Sequence, residues 1–241
     1  MRYAIFSDVH SNLEAFQTLV DWLKNQNIDS YIFLGDIIGY GANPNEVISL
    51  LKELNPVCLA GNHDWGIIGK FDIECFNSNA KNSLLWTRSI IREEEINYLF
   101  TFPLIYQEKN FTCVHGSLWE PEEFNYVIDP QEAILNFKIM EKQICFIGHS
   151  HRKELYVWLD KKLYYSTDEE ITLEENSKYI VNVGSVGQPR DGDNRLCVCI
   201  YDDEEKKVSF TRLSYDIRKA ANKIIKAGLP PILAERLYSG Y

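Results

Sequence analysis

YAIFSDVHSN, residues 3–12, is the most informative stretch for the fold, because a short, mostly apolar strand is followed at once by Asp8 and His10. The same arrangement returns in YIFLGDIIGY at 31–40, where a second apolar run ends at Asp36. Around these two stretches, the apolar pattern predicts helices over 12–25 and 45–54 and a third strand over VCLAG at 57–61. Strands alternating with helices in this way are typical of a mostly parallel sheet.

The remaining chain predicts a second sheet. Residues 65–100 are mainly helical in pattern and are expected to pack over one edge of the first sheet. Beyond Pro103 the apolar runs are short and separated by turn residues, which predicts strands over LIYQ, FTCVH, ICFIG, ELYVWL, KLYYS, YIVNVG, RLCVCIY and KVSFTRL. A helix over 215–226 and a short terminal helix complete the prediction.

Composition limits the function classes. The 241 residues contain 35 acidic and 25 basic side chains, a formal net charge of −10, without a basic stripe. Such a field repels polyanions, so nucleic acid is not expected as a partner. No apolar run has the length of a membrane span, and the first residues enter a strand without a signal-peptide pattern. We therefore expect a cytoplasmic protein with no membrane partner, whose oligomeric state the sequence leaves open.

The cysteines and one acidic segment carry weaker signals. Five of the six cysteines lie in apolar runs such as LCVCI, which favours small buried side chains, and no CxxC pair occurs. The acidic stretch 119–129 lies between two motif strands. It is interpreted either as a cap over a site or as a solvated surface loop.

Polar residues gather at the ends of the predicted strands. All five histidines of the chain fall there, in the segments DVH at 8–10, GNHD at 61–64, HG at 115–116 and GHSH at 148–151, while GD at 35–36 supplies Asp36. Ligands collect outside the carboxyl ends of strands in open α/β sheets, so these segments are expected to meet. Residues two apart in an extended segment project to the same side, so Asp8 with His10, and His149 with His151, are each predicted to grip one ion.

In this order the five segments resemble the pattern of the calcineurin-like metallophosphoesterase superfamily, D-x-H, G-D, G-N-H-D/E, H-G and G-H-x-H. Within it, GDIIGYGANPN at 35–45 and NVGSVGQPRDGDNR at 182–195 resemble a group of bacterial and archaeal phosphoesterases of mostly unassigned substrate. The resemblance implies a four-layer α/β/β/α sandwich with two mixed β-sheets, in one domain spanning residues 1–241.

The resemblance also implies a ligand set for two divalent metal ions. One ion would be held by Asp8, His10, Asp36 and His151, and the other by Asp36, Asn62, His115 and His149. Asp36 would bridge the ions, which activate a shared water as hydroxide and hold the phosphate. Donors of oxygen and imidazole without thiolate suit Mn, Fe, Zn, Co or Ni, and the identity stays open.

The ligand set implied by the resemblance does not include His63, which is therefore available for catalysis. It would protonate the leaving oxygen or stabilise the charge that develops there, and Asp64 is a candidate for orienting it. Asn62, Arg190 and Tyr40 are candidate substrate contacts, although Arg190 can equally be a surface arginine. Gly39 and Tyr40 replace the Asp and Arg of the GDxVDRG motif found in protein serine/threonine phosphatases, which argues against phosphoprotein substrates.

The predicted function is metal-dependent hydrolysis of a small phosphorylated substrate, with a phosphodiester favoured over a monoester. A nucleotide or dinucleoside-polyphosphate phosphatase is the first alternative. A protein phosphatase and a non-catalytic metal-binding scaffold are further alternatives. The complete ligand set and His63 argue against the scaffold.

Overall fold

A computed structural model describes residues 1–241 and contains twelve strands and eight α-helices. The strands are β1 Arg2–Phe6, β2 Ser30–Phe33, β3 Val57–Cys58, β4 Ile105–Gln107, β5 Phe111–Val114, β6 Ile144–Ile147, β7 Lys153–Leu159, β8 Lys162–Ser166, β9 Glu170–Thr172, β10 Lys178–Val183, β11 Leu196–Asp202 and β12 Lys207–Leu213. The helices are α1 Leu13–Leu23, α2 Pro44–Leu54, α3 Asn62–Ile68, α4 Ser78–Ile90, α5 Glu93–Leu99, α6 Pro130–Ile139, α7 Ile217–Lys226 and α8 Pro231–Ser239.

The strands form two six-stranded sheets. The first has the order β3-β2-β1-β11-β12-β9 and the second the order β4-β5-β6-β10-β7-β8. In the first sheet β1, β2 and β3 are parallel, while β11 pairs antiparallel with β1. In the second sheet β5, β6 and β10 are parallel, and β4, β7 and β8 are antiparallel additions. Both sheets are mixed, as predicted.

Side chains that alternate along β1 pack against the helices on one face of the first sheet and against the second sheet on the other. In β1, Ala4 and Phe6 face α1 and α2, whereas Ile5 faces the second sheet and packs in the cluster that contains Phe146 of β6. Burial of one such aliphatic or aromatic side chain contributes roughly 1.5–3 kcal/mol. The cluster between the sheets therefore fixes their relative position, and with it the distance between the strand ends that carry the polar motifs.

The outer face of the second sheet is covered by α6. Phe137 of α6 packs with Cys145 and Ile147 of β6, which completes the α/β/β/α order of layers. The sequence did not predict α6 or the short β9. Apolar side chains are not concentrated on one face of α6, and its clearest signal is local, because the side chain of Asp129 accepts hydrogen bonds from the first-turn N–H groups.

Residues 65–100, predicted to be mainly helical, contain most of α3 together with α4 and α5, and a short turn of 3₁₀-helix lies between α3 and α4. The Tyr98 hydroxyl lies 3.6 Å from Sγ of Cys58 in β3, which is an edge strand of the first sheet. This confirms the predicted packing over a sheet edge. None of the eight helices combines the length and apolar character that crossing a bilayer requires.

Candidate metal centre

The five motifs meet at one edge of the two sheets. Asp8 and His10 follow β1, Asp36 follows β2, and Asn62 begins α3 after β3, while His115 follows β5 and the pair His149 and His151 follows β6. Every one of these side chains is at most 8% exposed. The structure therefore brings together all the residues that the sequence selected as ligands, from strands of both sheets.

At five of these seven residues the backbone is left-handed rather than extended. Positive φ angles occur at Asp8 (55°), His10 (48°), Asp36 (61°), His149 (67°) and His151 (61°). Such angles are uncommon for residues other than glycine and cluster at functional sites. The prediction that the Asp-x-His and His-x-His pairs lie in extended segments is wrong, because each strand ends before its motif begins.

The predicted ligands fall into two groups, and a donor atom of His63 also lies within 4.8 Å of donor atoms of His10 and Asp36. Nε2 of His151 lies 3.3 Å from Oδ1 of Asp8 and 3.0 Å from Nε2 of His10. In the second group, donor atoms of Asp36, His115 and His149 lie within 4.8 Å of one another. His149 and His151 thus belong to different groups, so the prediction that this pair grips one ion is wrong.

Asp36 lies between the groups. Its Oδ2 is 3.6 Å from Nε2 of His10 and 3.3 Å from Nε2 of His115. Its Oδ1 accepts a hydrogen bond of 2.9 Å from the backbone N–H of His63. A single carboxylate oxygen therefore faces both groups, while the other holds the first turn of α3.

The hydrogen-bond pattern leaves the donor atoms free for cations. Nδ1 of His10 and of His115 each lies 2.9 Å from a backbone carbonyl, and Nδ1 of His151 lies 2.6 Å from the carbonyl of Gln188. A carbonyl can only accept, so Nδ1 carries the proton and Nε2 presents a lone pair to the centre. Two such lone pairs, of His10 and His151, face each other at 3.0 Å.

Three further buried atoms have no hydrogen-bond partner, namely Oδ1 of Asp8, Oδ1 of Asn62 and Nε2 of His115. Buried polar atoms are rarely left unpaired, and opposed lone pairs repel unless a positive charge separates them. The donor set therefore fits divalent cations.

The pKa shifts of the site residues also fit a bound cation. Burial lowers the pKa of His10, His149 and His151 well below the usual range, so these rings are neutral at pH 7. Burial also opposes the charge on His115, but Asp36 outweighs it and raises the pKa of His115 to about 9. Without a cation, Nε2 of His115 therefore also carries a proton at pH 7, and a bound cation would displace that proton and take up the lone pair. Burial raises the pKa of Asp8. Neutral rings and close carboxylates form a site that a positive charge stabilises.

His63 has a different environment from the other four histidines. A Cβ built on Gly39 would touch its Nδ1, so this nitrogen faces the Gly39 backbone, where it is buried without a partner. Nε2 is consequently the nitrogen that faces the cleft. Burial lowers the pKa of His63 to about 4, so the ring is neutral at pH 7.

Asp64 does not orient His63. Its carboxylate accepts hydrogen bonds from the backbone N–H groups of Asp36 (2.8 Å), Ile37 (3.1 Å) and Gly61 (3.0 Å). All its oxygens are therefore directed at the two motif loops rather than at the imidazole. The predicted catalytic role is corrected to a structural one, in which Asp64 fixes the loop that carries Asp36.

A cleft of about 390 Å³ opens above the centre. Tyr40 lines it, with its ring centroid 4.6 Å from those of both His10 and His63. The guanidinium of Arg190 lies 5.4 Å from the Tyr40 ring centroid and also faces the cleft. The candidate substrate residues Asn62, Tyr40 and Arg190 are thus all at the cleft, and Arg190 is the only lysine or arginine among its lining residues.

The segment 119–129 covers part of the cleft, as the first of its two interpretations predicted. Residues 123–126 line the cleft, and the ring of Tyr126 stacks on His149 with centroids 3.9 Å apart and planes 15° from parallel. A stacked aromatic ring restricts the rotation of the imidazole. The cap therefore contributes to the orientation of His149.

Two features of the site were missed by sequence reasoning. Oε1 of Gln188 accepts hydrogen bonds from Nε (3.2 Å) and Nη2 (2.7 Å) of Arg190, and so fixes the direction of this guanidinium. Phe71 and Phe76 also line the cleft. The only sequence signal for the contact between Gln188 and Arg190 is their Q-P-R spacing in the late glycine-rich loop. The apolar pattern of residues 70–77 does not distinguish Phe71 and Phe76 from core residues.

The chain belongs to the calcineurin-like phosphoesterase family, whose model matches residues 1–181. It is 39% identical over 242 residues to an uncharacterized protein of Methanocaldococcus jannaschii, covering 98% of this chain and 97% of that protein. Among solved structures it is similar to a metallophosphoesterase from Sphaerobacter thermophilus, with 35% identity, a TM-score of 0.87 and coverage of 100% and 99% of the two chains.

The fold is also shared with a hypothetical protein of Pyrococcus horikoshii OT3. That structure is 21% identical, with a TM-score of 0.80 and coverage of 100% of this chain and 98% of the other. The predicted family and fold class are therefore confirmed. Family membership supports a hydrolase of the phosphoesterase type, and the His/Asp clusters could hold the divalent metals that calcineurin-like phosphoesterases bind.

Proposed function

We propose that the chain is a two-metal phosphodiesterase. The supporting observation is that two groups of metal-donor atoms share Oδ2 of Asp36. Several of the buried donor atoms in these groups have no hydrogen-bond partner within the protein. Asp8, His10, Asp36 and His151 would hold one cation. Asp36, Asn62, His115 and His149 would hold the second.

When bound, two divalent cations lower the pKa of a coordinated water and neutralise charge on the phosphate. The protein's own contribution is to hold the donors before the cations arrive. Carbonyl groups fix the rings of His10, His115 and His151, and backbone N–H groups fix one oxygen each of Asp8 and Asp36. This preorganisation removes the need for rearrangement during the reaction.

His63 acts on the leaving oxygen. Nδ1 has no acceptor against the Gly39 backbone, so the neutral ring carries its proton on Nε2, which faces the cleft. An N–H directed at the leaving oxygen stabilises the negative charge that develops there. This role uses a hydrogen bond from a neutral ring, in keeping with the absence of an aspartate at position 39.

The charges of the cleft favour a diester over a monoester. A monoester is largely dianionic at neutral pH and gains more from fixed positive charge than a monoanionic diester. Arg190 is the single basic side chain in the lining, whereas Arg152 is exposed outside it and Arg195 is paired with Asp193. Apart from the two proposed metal ions, the cleft thus offers one positive charge, which matches the single charge of a diester.

The test compares two esters that share a leaving group. With protein reconstituted with each candidate metal, kcat/KM is expected to be higher for bis-p-nitrophenyl phosphate than for p-nitrophenyl phosphate, at one pH and one ionic strength. A clear monoester preference would contradict the assignment to diesters. If Arg190→Ala abolished that monoester preference, Arg190 would be the clamp for the second charge.

A further inference from the structure

One side of the cleft is a continuous chain of aromatic rings. Phe76 lies edge-on to His63 with ring centroids 4.9 Å apart, and Phe71 lies edge-on to Phe76 at 5.6 Å. Phe71 also lies edge-on to Phe124 at 5.4 Å, and the Phe124 ring is 5.9 Å from that of His115. This aromatic wall, Phe71, Phe76 and Phe124, therefore runs from the catalytic candidate His63 to the ligand candidate His115.

The wall keeps ring surface open to the cleft. Phe124 is 4% exposed, but Phe71 and Phe76 are only partly buried, and all three line the cleft. Aromatic surface beside a polar metal centre gains free energy when a ligand covers it. Edge-to-face contacts hold the rings in fixed orientations, so little entropy is lost when such a ligand binds.

The wall carries no positive charge. Besides the rings, this part of the cleft is lined by Cys75 and Asn77, with Glu123 and Asn125 on either side of Phe124, and the Asn77 side-chain carbonyl oxygen is already used to cap α4. Arg190 packs on Tyr40 and bonds to Gln188 instead. A group that reaches the wall therefore meets apolar rings, and an additional phosphate there would lack a cationic partner.

We infer that the aromatic wall is the subsite for the leaving group, and that the substrate is a phosphodiester whose departing alcohol carries an uncharged, planar aromatic ring. The inference rests on the proposed function, which assigns His63, in contact with Phe76, to the leaving oxygen. Hydrolysis adds the oxygen of water to phosphorus and breaks the bond to the aryl-bearing oxygen. The products are the protonated alcohol and a phosphate monoester.

Two diesters with leaving groups of similar acidity test the inference, methyl phenyl phosphate and methyl hexafluoroisopropyl phosphate. The natural sequence is expected to favour the phenyl ester in kcat/KM by about tenfold, the size of one stacking interaction on an aromatic side chain. Phe71→Leu and Phe76→Leu keep apolar volume but remove the ring, so each is expected to lower this ratio severalfold. Phe100→Leu is the matched control, because Phe100 is 47% exposed and outside the cleft.

Equal kcat/KM for the two esters would overturn the inference and leave the proposed function standing. Failure to hydrolyse either ester with any candidate metal would overturn both. Phe76 packs against Gly66 in α3, so Phe76→Leu is the variant with the greater risk to folding. If Phe76→Leu does not fold, Phe71→Leu provides the test. An unchanged ratio of kcat/KM for the two esters in folded Phe71→Leu would also contradict the aromatic subsite.

Discussion

Replacing Gly39 by alanine is expected to disable His63 without altering any proposed metal ligand. Gly39 has a φ of +88°, and a Cβ added there would lie 3.1 Å from both Cε1 and Cγ of His63 and closer still to Nδ1. Carbon atoms at optimal separation are about 3.5–4.0 Å apart. The imidazole must therefore move by roughly 1 Å to accommodate the methyl group.

A displacement of about 1 Å near a reacting group can cost about 100-fold in rate. The kcat/KM of Gly39→Ala for bis-p-nitrophenyl phosphate is accordingly expected to fall by about 100-fold, while elemental analysis still finds the metal content of the natural sequence. A left-handed backbone at a residue other than glycine also costs roughly 1–2 kcal/mol. Gly228→Ala is the control for that cost, since its φ is +73° and an added Cβ meets nothing within 4 Å.

A double-mutant cycle separates the ring displacement from other effects. In a His63→Ala background the clash no longer exists, so Gly39→Ala is expected to add little further loss. Activity of Gly39→Ala equal to that of Gly228→Ala would contradict the proposed displacement of the His63 ring. A loss that persists in full when the His63 ring is absent would contradict it as well.

Substitutions at three residues, Asp36, His63 and Gln188, test separate parts of the site. Asp36→Asn is expected to lose metal stoichiometry and activity together, because a neutral amide cannot offset the charge of two cations, and full occupancy by elemental analysis would contradict this. His63→Ala is expected to keep its metals and to slow turnover by roughly 10² to 10⁴, and metal loss would instead make His63 a ligand. Gln188→Leu removes the acceptor that orients Arg190 and is expected to raise KM by about tenfold, the worth of a hydrogen bond to a charged group. Metal content and an unfolding temperature equal to those of the natural sequence would show that Gln188→Leu has no general folding defect.

The location of the site can be predicted from the sequence, because the apolar runs show where each strand ends. Asp8, Asp36 and His115 each come directly after an apolar run, and parallel strands bring their carboxyl ends to one edge of a sheet. The alternation of β1 likewise determines which residues face α1 and which face the second sheet. For these features local pattern and tertiary structure agree.

The internal geometry of the site does not follow from the sequence. His149 and His151 are two residues apart, yet left-handed backbone angles separate them into different donor groups. The role of Asp64 depends on which N–H groups lie nearest in space, and two of them, on Asp36 and Ile37, are 28 and 27 residues away along the chain. Contacts of this kind are set by how the loops pack, which residue spacing does not encode.

The aromatic wall was missed for a related reason. Phe71 and Phe76 lie in a short segment between α3 and α4, where an apolar residue is as compatible with packing against the core as with lining a cleft. Only the position of their rings beside His63 distinguishes the two.

The most direct test of the two-metal claim measures loading and turnover in the same samples. Protein stripped of metal is titrated with Mn²⁺, native mass spectrometry gives the fractions with no, one and two bound ions, and hydrolysis of bis-p-nitrophenyl phosphate is followed at each point. Because the two donor groups share Asp36, turnover is predicted to rise in proportion to the doubly loaded fraction. Turnover that follows the singly loaded or the metal-free fraction would contradict the two-metal mechanism.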